Sequence, residues 1–229
     1  VPIGRVFDDR IFLSTLLFTE FQDPTAPLPA HDLIFNAVGD AELGAEALAQ
    51  AQVLAKRSGA PLLNDPRQVA LSGRADNARR MAGIPGLVVP HIADLGRAKL
   101  EAPEAFQTLE GLGFRFPFLL RARGFHAGKH FAKLEKPADL KETLRAMPGD
   151  TFSAIEFLNA HSADGKIRKY RVMMIGGRFY PLHAAVSTQW KIHYFSADMR
   201  DNPGHRAEDQ AFLQDMDRVL GPVALAALQ

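Results

Sequence analysis

The nine residues Arg121-Ala122-Arg123-Gly124-Phe125-His126-Ala127-Gly128-Lys129 put three cations and two glycines at the end of an apolar run, Phe116-Pro117-Phe118-Leu119-Leu120. His130 follows them, and the apolar pattern resumes at Phe131. Glycine lets a backbone come close to a ligand and leaves N–H groups free to point at it, while Arg and Lys neutralise an anion. A phosphate group is the simplest guest for such a loop. The P-loop pattern does not fit. Its glycine spacing is one longer, His130 stands where Ser or Thr would hold magnesium, and the loop joins two strands instead of a strand and a helix. A flexible antiparallel turn that closes over a bound nucleotide, as the glycine hairpin of kinases does, is the better physical model. An ordinary hairpin turn accounts for the same residues.

Two further groups matter. Ala154-Ile155-Glu156-Phe157-Leu158-Asn159 supplies an acidic residue followed by apolar ones near a strand end. An adenine ring asks for an acceptor, a donor and two apolar faces, and a strand edge leaving its sheet offers all of them; a plain strand with one polar position is the alternative. Asp164-Gly165 reads as a turn. Lys169 and Arg171 alternate with Tyr170 and Val172, so a strand sends both cations to one face. There they repel unless an anion or carboxylates lie between them. With Arg121 and Lys129 they could line one cleft, or they form a solvated sheet face. His126 and His130 have the i, i+4 spacing of a zinc pair but lie in a glycine loop without the Glu of a zincin motif, and no Gly-x-Ser-x-Gly elbow occurs.

These groups need a scaffold, and 229 residues at 47% hydrophobic suffice for one large domain or two small ones. An apolar strand at 33–38 ends in Gly39-Asp40, which reads as a turn capping the next helix and also lies where open α/β sheets bind ligands. A helix over about 41–58 and a strand within 59–66 complete a βαβ unit, which implies parallel strands. A helix over 75–82 leads into Gly83-Ile84-Pro85-Gly86 and a short strand at 87–90. Paired strands rich in Phe, Tyr and Val then replace the βαβ order, so the domains expected are 1–80 and 81–229. The spacing of Leu140 and Leu144 between Pro137 and Pro148 predicts a helix over 138–146, and residues 151–160 read as a strand. Gly176-Gly177 is the two-residue turn of a hairpin between 169–175 and 178–183. Phe212, Met216 and Val219 give a core stripe to a helix over 205–220. The fold class expected is α/β plus α+β, a βαβ domain followed by a mainly antiparallel sheet.

Composition excludes several functions. No apolar run approaches the roughly 20 residues of a spanning helix, and no signal-peptide order opens the chain, so no membrane partner and a cytoplasmic location are expected. The absence of cysteine removes disulfides, thiolate metal sites and a cysteine nucleophile. With 27 basic against 26 acidic residues and no long block of one sign, nucleic-acid binding has no support, and any basic site is local. The chain begins at Val1 and stops at Ala226-Ala227-Leu228-Gln229, inside helical sequence without a capping glycine, so a fragment of something longer is expected.

Order and spacing together resemble the ATP-grasp superfamily: a basic residue ending a strand, a glycine loop, a strand, a helix, an acidic residue before apolar ones, then a strand carrying arginine and a glycine turn. Phe35-Asn36-Ala37-Val38-Gly39-Asp40, Phe116-Pro117, Gly124-Phe125-His126 and Trp190-Lys191-Ile192-His193-Tyr194-Phe195 look like a bacterial group of that superfamily often attached to tetratricopeptide repeats. The resemblance covers almost the whole chain. It implies a pre-ATP-grasp domain before an incomplete ATP-grasp fold, with ATP as the nucleotide. Arg121 would replace the usual lysine that reaches the phosphates, and Arg171 would face the phosphoryl group being transferred. Gly124, Gly128 and Lys129 would form the mobile phosphate loop, Lys169 would add to the phosphate site, and Glu156 and Leu158 would hold adenine. The substrate implied is a small molecule or peptide with a carboxylate, activated as an acylphosphate and attacked by an amine or related nucleophile. Magnesium is implied too, its acidic ligands expected beyond Gln229 and none within this chain. A nucleotide-binding or scaffold module without turnover would keep the same fold, and a homodimer stays open. His126, His183 and His193 are candidates to contact the acceptor, against ordinary surface or structural histidines, and Trp190 reads as a packing anchor.

Overall fold

The computed structural model describes residues 7–23, 25–126, 128–194 and 197–229. Its chain divides into two compact units, Val1–Asn77 and Ala78–Gln229.

In the first unit β1 (Ile34–Phe35) pairs in parallel with β2 (Leu62–Leu63), and α1 (Ala45–Arg57) connects them. β1 is shorter than the apolar run at 33–38. Asn36 is buried, and its N–H still donates to the Leu63 carbonyl at 3.0 Å, but beyond that bond side chains take over: its amide donates to the Asn64 carbonyl at 2.9 Å, its Oδ1 accepts from the Val38 N–H at 3.0 Å, and its carbonyl accepts from the Asn64 amide at 3.3 Å. Helix α1 begins at Ala45 and not at 41, because Asp40 Oδ1 accepts from the Glu42 and Leu43 N–H groups at 2.8 and 2.9 Å and holds a turn there. α2 (Pro66–Ala70), capped by Asp65, and α3 (Arg74–Met81) follow.

The second unit is built on an antiparallel sheet of order β3-β6-β4-β5, formed by β3 (Ile92–Gly96), β4 (Phe118–Ala122), β5 (Phe131–Leu134) and β6 (Thr151–Glu156). The strand expected at 87–90 is absent and pairing starts after Pro90, whose nitrogen has no hydrogen to give a ladder. β6 stops at Glu156 instead of running to 160. Strand alternation sends Phe118, Leu120, Ala122, Phe152 and Ala154 to one face, where α4 (Arg97–Glu101), α5 (Ala105–Gly111) and α6 (Ala138–Ala146) bury them with Leu100, Leu109, Leu140 and Leu144. Arg97 closes the carboxyl end of α6. Its guanidinium donates to the carbonyls of Leu144, Met147 and Gly149 at 2.9, 2.6 and 2.8 Å and lies 4.9 Å above the centre of the Phe152 ring.

β7 (Ile167–Ile175) and β8 (Arg178–Ser187) form the separate hairpin, and Gly176 and Gly177 take φ of 56° and 76°, as its tight turn requires. Against it packs α7 (Pro203–Gln214), whose Phe212 is fully buried 5.0 Å from the Tyr170 ring. Arg168 of β7 pairs with Glu208 of α7 at 2.6 Å and with Asp164 at 2.8 Å, so Asp164 is a turn former with a structural partner. The helix expected over 205–220 is two helices. Asp215 leaves helical geometry, and its carboxylate accepts from the Arg218 N–H at 3.0 Å to start α8 (Met216–Leu228). Among the described residues no helix is long and apolar enough to cross a membrane.

Candidate functional site

The face of the four-stranded sheet away from the helices holds the candidate residue Arg121. Register places Arg121 opposite Phe131 on β5 and Ser153 on β6, and Asp94 opposite Ser153, so these side chains share that face. Arg121 donates to the Phe125 carbonyl of the glycine loop and stands 5.7 Å from the Phe131 ring centre. It therefore sits beneath the loop that its own strand enters. Arg123 is 4.0 Å from Asp94, which also accepts the Ser153 hydroxyl at 2.6 Å. Lys129 is exposed, and only its N–H works locally, donating to the His126 carbonyl at 3.1 Å. The three loop cations thus part company: one turns under the loop, one meets a carboxylate, one faces water.

Gly124 and Gly128 have φ of 84° and 72°, and His130 also has a positive φ, 47°. Gly128 has a second reason to lack a side chain, since a Cβ there would come within 2.8 Å of Lys191 Cε. Lys191 crosses the loop from the segment after β8, and its ammonium donates to the Phe131 carbonyl at 3.2 Å. Its neighbour Trp190 lies edge-on to Phe131 at 5.4 Å and to Phe157 at 6.3 Å, as a packing anchor does. His126 is exposed and His130 packs on Phe125 at 4.3 Å, which is no zinc geometry.

Lys169 and Arg171 join Arg121 from β7. The Lys169 ammonium reaches the Ile192 carbonyl at 3.4 Å, next to Lys191. Desolvation first, then the charges of Arg171 and Arg121, hold it below the ordinary lysine range. Among the described residues no carboxylate pairs with Lys169, Arg171 or Lys191. Like charges brought together in this way raise the local positive potential.

Glu156 is placed differently. It lies three residues along β6 from Ser153, the partner of Arg121, hence about 10 Å away and on the opposite face. Its carboxylate accepts from the His91 N–H at 3.0 Å, and its own N–H donates to the His91 carbonyl at 2.9 Å. Leu158 is half-buried just beyond the strand. Lys191 has no role in the sequence reading, although it stands in one of the motifs quoted there. Asp209 of α7 is a second omission: buried, it accepts from the Ala184 N–H at 2.7 Å and the Tyr194 hydroxyl at 3.0 Å, tying the 190–194 segment to the hairpin.

No protein-family model and no curated protein matches the chain. Solved structures do. The D-Ala:D-Ser ligase VanG from Enterococcus faecalis is similar over 86% of this chain and 58% of its own, at 13% identity and a TM-score of 0.46. The D-alanine-D-alanine ligase of Coxiella burnetii is similar over 86% of this chain and 52% of its own, at 11% identity and a TM-score of 0.44. The N5-carboxyaminoimidazole synthetase of Staphylococcus aureus, solved with ADP, is similar over 76% of this chain and 43% of its own, at 14% identity and a TM-score of 0.44. The chain spans about half the length of these structures.

Two hollows lie elsewhere. One of about 260 Å³ on the helix-covered side is lined by four phenylalanines with Glu110 and Arg115, and an open one of about 570 Å³ in the first unit is lined by His31 and Arg57 among others. Neither includes a residue of the cation cluster.

Proposed function

We propose that Arg121, Lys169, Arg171 and Lys191 hold the phosphates of ATP beneath the Gly124–Gly128 loop, and that the chain serves ATP-dependent ligation of a carboxylate to an amine or related nucleophile. The observation that carries this reading is the gathering of Lys169, Arg171 and Lys191 beside the loop without a carboxylate partner among the described residues. Like charges held close cost free energy until an anion joins them. A polyphosphate supplies that charge. With the Glu156 carboxylate engaged by His91, adenine would rely on the backbone and on Phe157 and Leu158.

In this reading a substrate carboxylate oxygen attacks the terminal phosphorus and ADP leaves; the nucleophile then attacks the acyl carbon and expels phosphate. The protein's part is positioning and charge neutralisation, with Arg121 and Arg171 as the catalytic cations and Gly124, Gly128 and Lys129 as the covering loop. Among the described residues no cluster of three His, Asp or Glu side chains suits a metal ion, so no step here is routed through magnesium. The second reading is a nucleotide-binding module without turnover. The two-domain division at residue 80, the cytoplasmic location, homodimerisation and attachment to tetratricopeptide repeats belong to the proposal as well.

Trp190, the single tryptophan, packs on Phe131 below the loop and serves as the reporter. Titration with ATP should change its fluorescence, and Arg171→Ala should weaken binding by about tenfold or more, the worth of a charge-assisted hydrogen bond. No response at millimolar ATP sinks the reading. ATP binding without ADP release across a panel of amino acids and peptides with magnesium leaves the binding module.

A further inference from the structure

Across the β7–β8 ladder Arg171 stands directly opposite His183, and Lys169 occupies the same face two residues along β7. The His183 ring lies against the Tyr194 ring with centroids 4.7 Å apart. The carboxylate that faces His183 is Asp209 from α7, and its two oxygens already accept from the Ala184 N–H and the Tyr194 hydroxyl. His193, from the segment after β8, is close as well. An imidazole in this position meets two permanent cations and a carboxylate engaged by other donors. With no anion beside it, these charges favour its neutral form more than water does.

We propose that binding of a phosphate group between Lys169 and Arg171 draws one proton onto His183, so that the imidazolium is a binding group present only in the complex. The inference rests on the reading of this cluster as an anion site and goes beyond it by assigning the site a proton. In the anion-free protein, burial and then Arg171 hold the His183 imidazole below the ordinary histidine value, opposed by Asp209 and reinforced by Lys169 and His193. Arg121, from β4, acts on the same cluster through Lys169. A phosphate seated beside these cations reverses the sign of the field at His183, and the proton's affinity rises. Between the free and bound titration midpoints the complex carries one more proton than the free protein plus ligand. Binding therefore tightens as the pH falls through that window, by at most about tenfold per pH unit. A terminal phosphate, with its second negative charge, gains more from the imidazolium than an internal phosphodiester does.

The test is histidine side-chain NMR on the full chain, with the His183 signal assigned by its loss in His183→Gln. The expected result is a His183 midpoint below those of the exposed histidines in the free protein, rising by more than one pH unit with saturating ATP. In parallel, the ratio of wild-type to His183→Gln affinity for ATP should grow several-fold from pH 8 to pH 6; ATP's own protonation cancels in that ratio. His193→Gln should keep the growth. ATP that binds while the His183 midpoint stays in place overturns the proton uptake and leaves the anion site standing. ATP that does not bind at either pH overturns both.

Discussion

Two antiparallel hairpins with glycine turns meet in the second unit, and they use glycine for different reasons. In the β4–β5 hairpin the loop is crowded: the Lys191 stem lies where a Gly128 side chain would go, Trp190 covers Phe131, and β4 is buried nearly along its whole length. In the β7–β8 hairpin the turn stands in open space with nothing near Gly176 or Gly177, and Met174 and Ile175 beside it are exposed. Only the root of that hairpin is buried, at Ile167 and from Ala184 to Ser187. The cations follow the same division. They lie at the loop end of the first hairpin and in the root half of the second, where the two regions adjoin. The cations therefore sit beside the packed parts of both hairpins and away from the open Gly176-Gly177 turn.

The contrast breaks most visibly in stability. Leu120→Ala, at a fully buried position of β4, should cost about 2–5 kcal/mol in urea unfolding, while Met174→Ala at the outer end of β7 should stay within about 0.5 kcal/mol. Equal costs would mean that the two hairpins are equally packed. Next come the glycines. Gly128→Ala and Gly177→Ala both force a side chain into the left-handed region, at about 1–2 kcal/mol each. Only Gly128→Ala should also weaken ATP binding, because the added methyl displaces Lys191. A Gly177→Ala variant that loses binding would erase the distinction between the turns. The smallest effect concerns His183, whose midpoint is depressed in the folded, anion-free protein. The unfolded chain then binds more protons between the folded midpoint and about 6.5, so stability is complete above that pH and declines as the pH falls toward the folded midpoint. His183→Gln should flatten this slope in thermal unfolding measured from pH 7.5 to 5.

The parts of this architecture legible in the sequence are those specified by neighbours along the chain. Leu140 and Leu144 between two prolines define α6 to the residue, Gly176-Gly177 defines the second hairpin, and the alternation of Lys169 and Arg171 puts them on one face. The short helices α4 and α5 were not legible, since five and seven residues interrupted by Ala102-Pro103 carry too little periodicity. The break at Asp215 had a signal, an aspartate in capping position, that the stripe of Phe212, Met216 and Val219 outweighed. At the site, Arg121 and the loop glycines stand out by type and spacing. Lys191 does not, because its contact with Phe131 spans 60 residues of sequence and depends on how the 190–194 segment folds back. Glu156 shows the converse: its type suggested a ligand contact, and the register of β6 against β3 gives its carboxylate to a backbone amide.

Arg97 joins what the chain order separates. It stands where β3 ends and α4 begins, yet it takes the last carbonyls of α6 and stacks on a β6 ring. Helix α6 therefore cannot fray from its carboxyl end without releasing a guanidinium that also bears on the sheet. The two open as one cooperative unit, and the amides that bracket α6 should exchange with solvent as slowly as those of β6 and become independent of them in Arg97→Ala.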